Sequence, residues 1–309
     1  MVAYVSETVE LSRARLMIDL GRFADAARLL ASVLSAAPDN CRGWCLLARA
    51  HLGNGEPAEA IAAARRASTL DPADDWPFRL VSTASIVLDR SADAVSAALE
   101  ARRLAPHSWR SHVCLAQAAA AGGRAELAAQ AAQAGLAIAP EEADVHVTAG
   151  RVALGRGDVA EARRRQQAAL ALEPTRSDAM NELGRISLHS GDPATAAEHF
   201  LRAARMAPGN GIFGRNSELA LRSLALRAAV PVGLAAAMCA LSAGLAASGY
   251  PAPAAALALA AAALLLWSAV QIRAIPRRSR SQAARLLRIR GHKPAKASVR
   301  ERASRRPRP

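Results

Sequence analysis

The chain has 309 residues, room for one large or two ordinary domains, and a formal net charge of +14. Aromatic residues make up 3% and alanine is abundant, which argues against a β sandwich or barrel and for closely packed helices with small residues at their contacts. Four cysteines, Cys41, Cys45, Cys114 and Cys239, form no disulfide framework pattern.

The charge is unevenly laid. Residues 1–208 hold 23 arginines against 24 acids, a net of −1, and residues 209–272 carry +2. Residues 273–309 hold 14 Lys and Arg and one Glu, a net of +13. The body is neutral and the tail is a separate basic object. The start, MVAYVSETVELSRARL, lacks a basic stretch followed by an apolar run, so no signal peptide is expected. The first domain is expected to stay where it is made, in a reducing compartment.

A period of 34 runs through the first two thirds. Prolines stand at Pro38, Pro72, Pro106, Pro140, Pro174 and Pro208. Twelve residues before each is alanine: Ala26, Ala60, Ala94, Ala128, Ala162 and Ala196. Twelve earlier again is a small residue: Ala14, Ala48, Ser82, Ala116, Gly150 and Gly184. A third track reads Gly21, Gly55, Asp89, Gly123, Gly157 and Gly191. The small tracks suit facing helices, where a larger side chain would push the backbones apart. The glycine track suits a left-handed turn between two helices, and the proline ends the second helix. Six helix–turn–helix units follow, at about 7–40, 41–74, 75–108, 109–142, 143–176 and 177–210. One unit cannot bury its apolar face alone, and stacking makes a continuous core.

These residues resemble the tetratricopeptide repeat family. The second unit carries the fullest pattern, with Trp44, Leu47, Ala48, Gly55, Ala60, Ala67 and Pro72. The sixth has Leu183, Gly184, Gly191, Ala196, Phe200, Ala203 and Pro208. The first departs with Arg13 where an apolar residue is usual, and the third with Asp89 in its turn. The resemblance implies an all-α helical-hairpin solenoid whose first helices line a concave groove for a protein or peptide partner. Groove positions in that family match three tracks. One holds Arg15, Arg49, Thr83, Gln117, Arg151 and Arg185. The next holds Leu11, Cys45, Arg79, Val113, Val147 and Asn181. The third holds Thr8, Arg42, Trp76, Arg110, Asp144 and Asp178. The expected peptide contacts are therefore Arg15, Arg42, Arg49, Arg79, Arg110, Arg151, Arg185 and Asn181. Arginine forks bind carboxylates in pairs of hydrogen bonds, so an acidic segment suits the first half. The Lys/Asn carboxylate clamp of some family members is absent, since Asn181 alone matches its residue types.

No catalytic constellation stands out, no cofactor motif is present, and an enzyme is not expected. His146 and His189 are expected to face outward or to cover the groove, without a Cys or Ser partner at a meaningful spacing. Cys41 and Cys45 lie one helical turn apart. No His/Cys pair at zinc spacing accompanies them, so they read as small thiols and no metal is expected.

After Pro208, residues 211–227 read as a capping helix, with Leu219, Leu221, Leu224 and Leu226 available to cover the last repeat. Between Arg227 and Arg273 lie 45 residues with no charge, against roughly 20 for one bilayer span. Two transmembrane helices, 228–250 and 254–272, are expected, broken at GYPAP and packed through Gly233, Ala237, Gly244 and Ser248. The positive-inside rule then places the repeats and the tail on the cytoplasmic side. The tail, 273–309, reads as disordered. Its Arg277, Arg278, Arg280, Arg285, Arg288 and Arg290 are expected to meet anionic lipid headgroups. It lacks aromatic residues for base stacking, so nucleic acid is the weaker reading. The expected function is a membrane-anchored interaction scaffold. The alternatives are a subunit of an integral-membrane complex, or a membrane-tethered nucleic-acid-associated protein acting through the tail.

Overall fold

The computed structural model describes residues 2–274 apart from Gly209 and Gly249. Every regular element among them is helical. Six helical pairs come first: α1 (Val2–Asp19) with α2 (Phe23–Ala36), α3 (Cys41–Asn54) with α4 (Pro57–Leu70), and α5 (Trp76–Val87) with α6 (Ser91–Leu104). The remaining pairs are α7 (Trp109–Ala121) with α8 (Ala125–Ile138), α9 (Ala143–Gly155) with α10 (Val159–Leu172), and α11 (Ser177–His189) with α12 (Pro193–Met206). Two longer helices follow, α13 (Gly211–Ala247) and α14 (Pro251–Ala274). The chain forms two compact units, residues 1–186 and 187–309.

The turn inside each pair follows from one residue. Gly21, Gly55, Gly123, Gly157 and Gly191 all adopt positive φ, and Asp89 takes the same left-handed conformation at φ 57°. The next residue then donates its N–H to a carbonyl five positions back. Glu56 bonds to His51 at 2.9 Å, Arg90 to Ser85 at 2.9 Å, and Asp158 to Ala153 at 2.9 Å. This satisfies orphan carbonyls at the end of the first helix. Each even-numbered helix ends two residues before its proline. The ring N–H of a residue six positions beyond the proline then bonds back to the proline carbonyl in three repeats. Trp44 reaches Pro38 at 2.8 Å, His112 reaches Pro106 at 2.9 Å, and His146 reaches Pro140 at 2.8 Å. His146 is therefore a buried structural donor, and not the outward or groove-covering residue expected from its place in the sequence.

From α1 to α10 each helix packs on its neighbour in sequence, and α1, α3, α5, α7 and α9 also pack on one another in series. The odd-numbered helices thus make one layer. The alanine track is fully buried from Ala26 to Ala162, as are Ala14, Ala48, Ser82, Ala116 and Gly150. At Gly150 the buried Gln166 amide fills the space a Cβ would take, and its Nε2 donates to the Val147 carbonyl at 3.1 Å.

In the second unit α12 packs on α13 around Phe200, Ala196, Ala197, Ala220 and Leu221. The buried stripe on α13 is Phe213, Ser217, Ala220 and Leu221, while Leu219 is exposed. Leu221 covers α12 as expected and Leu219 does not, because it falls off the stripe that helical spacing defines. α13 is continuous over the expected 211–227 helix and the start of the following apolar segment. It then packs against α14. The seam uses Pro231, Ala235, Met238, Ser242 and Leu245 on one side and Ala254, Leu257, Ala261 and Leu264 on the other. These spacings of three and four residues are those of a coiled-coil contact. Ser242 Oγ donates across the hairpin to the Ala254 carbonyl at 2.7 Å. Gly233, Ala237, Gly244 and Ser248, expected at this contact, are all exposed instead, and a Cβ at either glycine would meet nothing within 4 Å. They lie on the far side of the helix because they are out of phase with the seam.

Among the described residues no helix is long and apolar enough to cross a membrane. The two expected spans thus draw no support from these helices. The side chains of 225–230 and 267–272 lie outside the described ones, as does the tail with Arg277, Arg278, Arg280, Arg285, Arg288 and Arg290.

Candidate functional site

The layer of odd-numbered helices carries a cleft at its N-terminal end. Its volume is about 420 Å³, and Arg15, Arg42, Leu46, Arg49, Trp76, Arg79 and Arg110 line it. Four consecutive helices contribute. α1 supplies Arg15, α3 supplies Arg42, Leu46 and Arg49, α5 supplies Trp76 and Arg79, and α7 supplies Arg110. An adjoining cleft of about 550 Å³ shares Arg15, Arg42 and Leu46 and extends to Thr8, Leu11, Ser12 and Asn40. Both volumes fall in the range of ligand sites. Five of the eight expected groove residues are thereby brought together.

Carboxylates neutralise only part of this charge. Arg49 pairs with Asp19 at 2.6 Å. Arg79 Nε donates to Asp75 at 2.7 Å, and Ser111 Oγ donates to the same carboxylate oxygen at 2.7 Å. Arg15 and Arg42 are exposed and form no ion pair with a described residue. Arg110 is exposed too, with its guanidinium 4.3 Å over the Trp109 ring, a cation–π contact that steers the side chain and leaves its donors available. Five guanidinium groups thus face two carboxylates. Trp76 adds an aromatic wall, set at the start of α5 by Pro77 and by its own N–H bond to Asp74 Oδ1 at 2.9 Å.

The repeat organisation extends through the whole of this layer, and the sequence matches the tetratricopeptide repeat family over residues 11–75, 87–143 and 147–211. The chain belongs to the tetratricopeptide repeat family. Among solved structures it is similar to a tetratricopeptide repeat protein from Parabacteroides merdae, with a TM-score of 0.60 and 14% identity over 69% of this chain and 84% of that one. It is also similar to a chain of the APC/C hetero-tetramer Cut9–Hcn1, with a TM-score of 0.57 and 16% identity over 69% of this chain. There it spans 42% of the length of that chain. PilF of Pseudomonas aeruginosa matches with a TM-score of 0.50 and 16% identity, over 70% of this chain and 98% of that one. At these identities the likeness is one of fold. No curated protein sequence matches significantly.

The family's groove tracks continue into α9 and α11, where the tetratricopeptide surface is of another kind. Arg151 Nε donates to Glu182 at 2.9 Å, and Arg185 donates to the other oxygen of Glu182 at 2.8 Å. Glu182 itself is buried, its side chain 4% exposed. Arg176 bonds to Asp144, to Asp178 at 2.9 Å and to Glu173 at 3.1 Å. Burial pulls the Arg176 guanidinium down, but its hydrogen bond and charge pairing with Asp178, followed by Asp144, outweigh that and hold it above the ordinary arginine range. Asn181 is buried on α11. Three arginines here meet four carboxylates, so Arg151 and Arg185 are committed to the protein itself. Tetratricopeptide proteins bind protein or peptide partners, and along the groove tracks of this one the arginines without an ion pair among the described residues, Arg15, Arg42 and Arg110, lie in the first four odd-numbered helices.

Proposed function

We propose that the protein is a membrane-anchored interaction scaffold that captures an acidic protein segment in the cleft between Arg15 and Arg110. The observation that carries this reading is the imbalance of five guanidinium groups over two carboxylates around one cleft. Arg15, Arg42 and Arg110 offer their forks to partner carboxylates, and Trp76 offers an apolar wall beside them. The chain acts by binding and not by catalysis. Membrane anchoring rests on the 45 uncharged residues between Arg227 and Arg273, more than twice the roughly 20 that a span requires. Within that run α13 and α14 expose Leu234, Leu241, Leu259, Leu265 and Leu266, a patch that favours lipid over water. Both flanks of the run are basic, so the repeats and the tail lie on the cytoplasmic side, with the tail against anionic headgroups.

Binding of a fluorescent Asp/Glu-rich peptide to the full chain in detergent tests the cleft. The triple variant Arg15→Ala, Arg42→Ala, Arg110→Ala is expected to lose affinity by roughly a hundredfold or more, at about 1.5–3 kcal/mol per charge-assisted hydrogen bond. Unchanged affinity sinks the cleft reading. Carbonate-resistant membrane fractionation, with a reporter fused at Pro309, tests the anchor. Release into the soluble fraction, or an extracytoplasmic reporter, overturns that part alone.

A further inference from the structure

Cys41 opens α3, Cys45 follows one turn later, and Asp74 sits in the connection between α4 and α5 of the following repeat. The ligand atoms of these three residues lie within 4.8 Å of one another. No other group of three His, Cys, Asp or Glu among the described residues comes as close. We infer that Cys41, Cys45 and Asp74 form a binding site for a thiophilic divalent cation of the zinc class.

The donor set has the chemistry for it. Two thiolates and a carboxylate are ordinary zinc ligands, at about 2.3 Å for sulfur and 2.0–2.2 Å for oxygen. Tetrahedral geometry then sets neighbouring ligand atoms about 3.5–3.8 Å apart. The three side chains therefore need to close by no more than about an ångström. Asp74 is already oriented. Its Oδ1 accepts the Trp76 N–H at 2.9 Å, which leaves Oδ2 for the cation, an outer-shell arrangement that fixes the ligand's direction. Cys41 Sγ approaches the Ala67 carbonyl at 3.5 Å, so a further oxygen lies at the rim.

Two thiolates and one carboxylate carry three negative charges against two on the cation, an ordinary balance for a thiolate zinc site. A thiol ligates as its thiolate, so binding proceeds by exchange: one divalent cation enters, two S–H bonds break, two metal–sulfur bonds form, and two protons leave to solvent. The exchange ties the start of α3 to the α4–α5 connection. That connection leads into Trp76 and Arg79, so the cation braces one wall of the cleft against Arg42.

The test uses the intact, reduced chain in detergent, with Zn²⁺ titrated against a chromophoric chelator and Cd²⁺ as a spectroscopic probe of thiolate ligation. One cation per chain is expected, with a Cd–thiolate absorption band and an affinity that rises with pH as two protons are released. Cys41→Ser and Asp74→Asn, both at half-buried positions, are each expected to weaken binding by about tenfold or more, with the helical circular dichroism unchanged. Cys114→Ser is expected to have no effect. Failure to hold Zn²⁺ against the chelator overturns the inference. So does binding that survives Cys41→Ser, or that disappears with Cys114→Ser. The readout involves no peptide, so its failure leaves the cleft reading standing.

Discussion

Arg15 and Arg49 in the first two repeats, and Arg151 and Arg185 in the last two, hold one register position repeated every 34 residues. Their surroundings differ. At the N-terminal end Asp19 and Asp75 offset part of the charge of five arginines, and Arg15 and Arg42 are left facing the cleft. At the C-terminal end Glu182 receives Arg151 and Arg185 together, and Arg176 draws in Asp144, Glu173 and Asp178. The same residue type on the same track thus faces a cleft unpaired at Arg15 and is tied into the structure at Arg151 and Arg185. The difference lies in the carboxylates: Glu182 reaches Arg151 from the neighbouring helix and Arg185 from one turn away on its own, whereas Arg15 has no such partner among the described residues.

Removing the arginines at each end is the strongest way to test that contrast. Arg151→Ala with Arg185→Ala leaves Glu182 buried without a cation and is expected to cost about 2–4 kcal/mol, below the upper range for buried pairs because both arginines are partly exposed. Arg15→Ala with Arg42→Ala is expected to change stability by about 0.5 kcal/mol or less, since both are exposed and unpaired. Urea denaturation of the two double variants measures the difference, and equal costs would remove the distinction.

Glu182→Gln breaks the contrast from the other side. It keeps the shape and releases both arginines, so a weak second site for an acidic peptide is expected in α9 and α11, at a stability loss of about 1–2 kcal/mol. Peptide titration would show stoichiometry rising above one.

The turn of the third repeat lies between the two regions. Asp89→Gly places the residue the other five turns use at the left-handed position, and is expected to raise stability by up to about 1 kcal/mol. A lower thermal midpoint for this variant would mean that the Asp89 side chain contributes more than its backbone strain costs.

The smallest effect is the response to acid. In the C-terminal region hydrogen bonding from Arg165 first, opposed by burial and reinforced by Arg164, lowers the Glu161 pKa. Its folded value lies below the unfolded 4.5, so its contribution is present above about pH 4.5 and is lost as pH falls through the folded value. Asp25 is lowered by Arg22 in the same sense, from an unfolded 3.8. Thermal midpoints are expected to hold between neutral pH and about 5 and to fall below it. Glu161→Gln is expected to flatten part of that fall, and an unchanged slope would remove Glu161 from the account.

The sequence by itself determined the repeat, because each signal is local. A residue that tolerates left-handed backbone, an alanine that must fit under a neighbouring helix, and a proline that cannot continue one all act within a few residues of their own positions. His146 escaped that reading because its role depends on a proline carbonyl six residues away in the folded turn. The arginine tracks repeat with the same period, the family resemblance marked them as groove positions, and Arg15, Arg42, Arg49, Arg79 and Arg110 do line one cleft. Which arginines stay available was not legible. Arg151 meets Glu182 and Arg49 meets Asp19 across about 30 residues of chain, and electrostatic pairing acts on distance in space and not along the sequence. Cys41 and Cys45 could be paired by helical spacing alone. Asp74 joins them only because stacking lays the second connection against the start of α3, which is a decision of the tertiary structure.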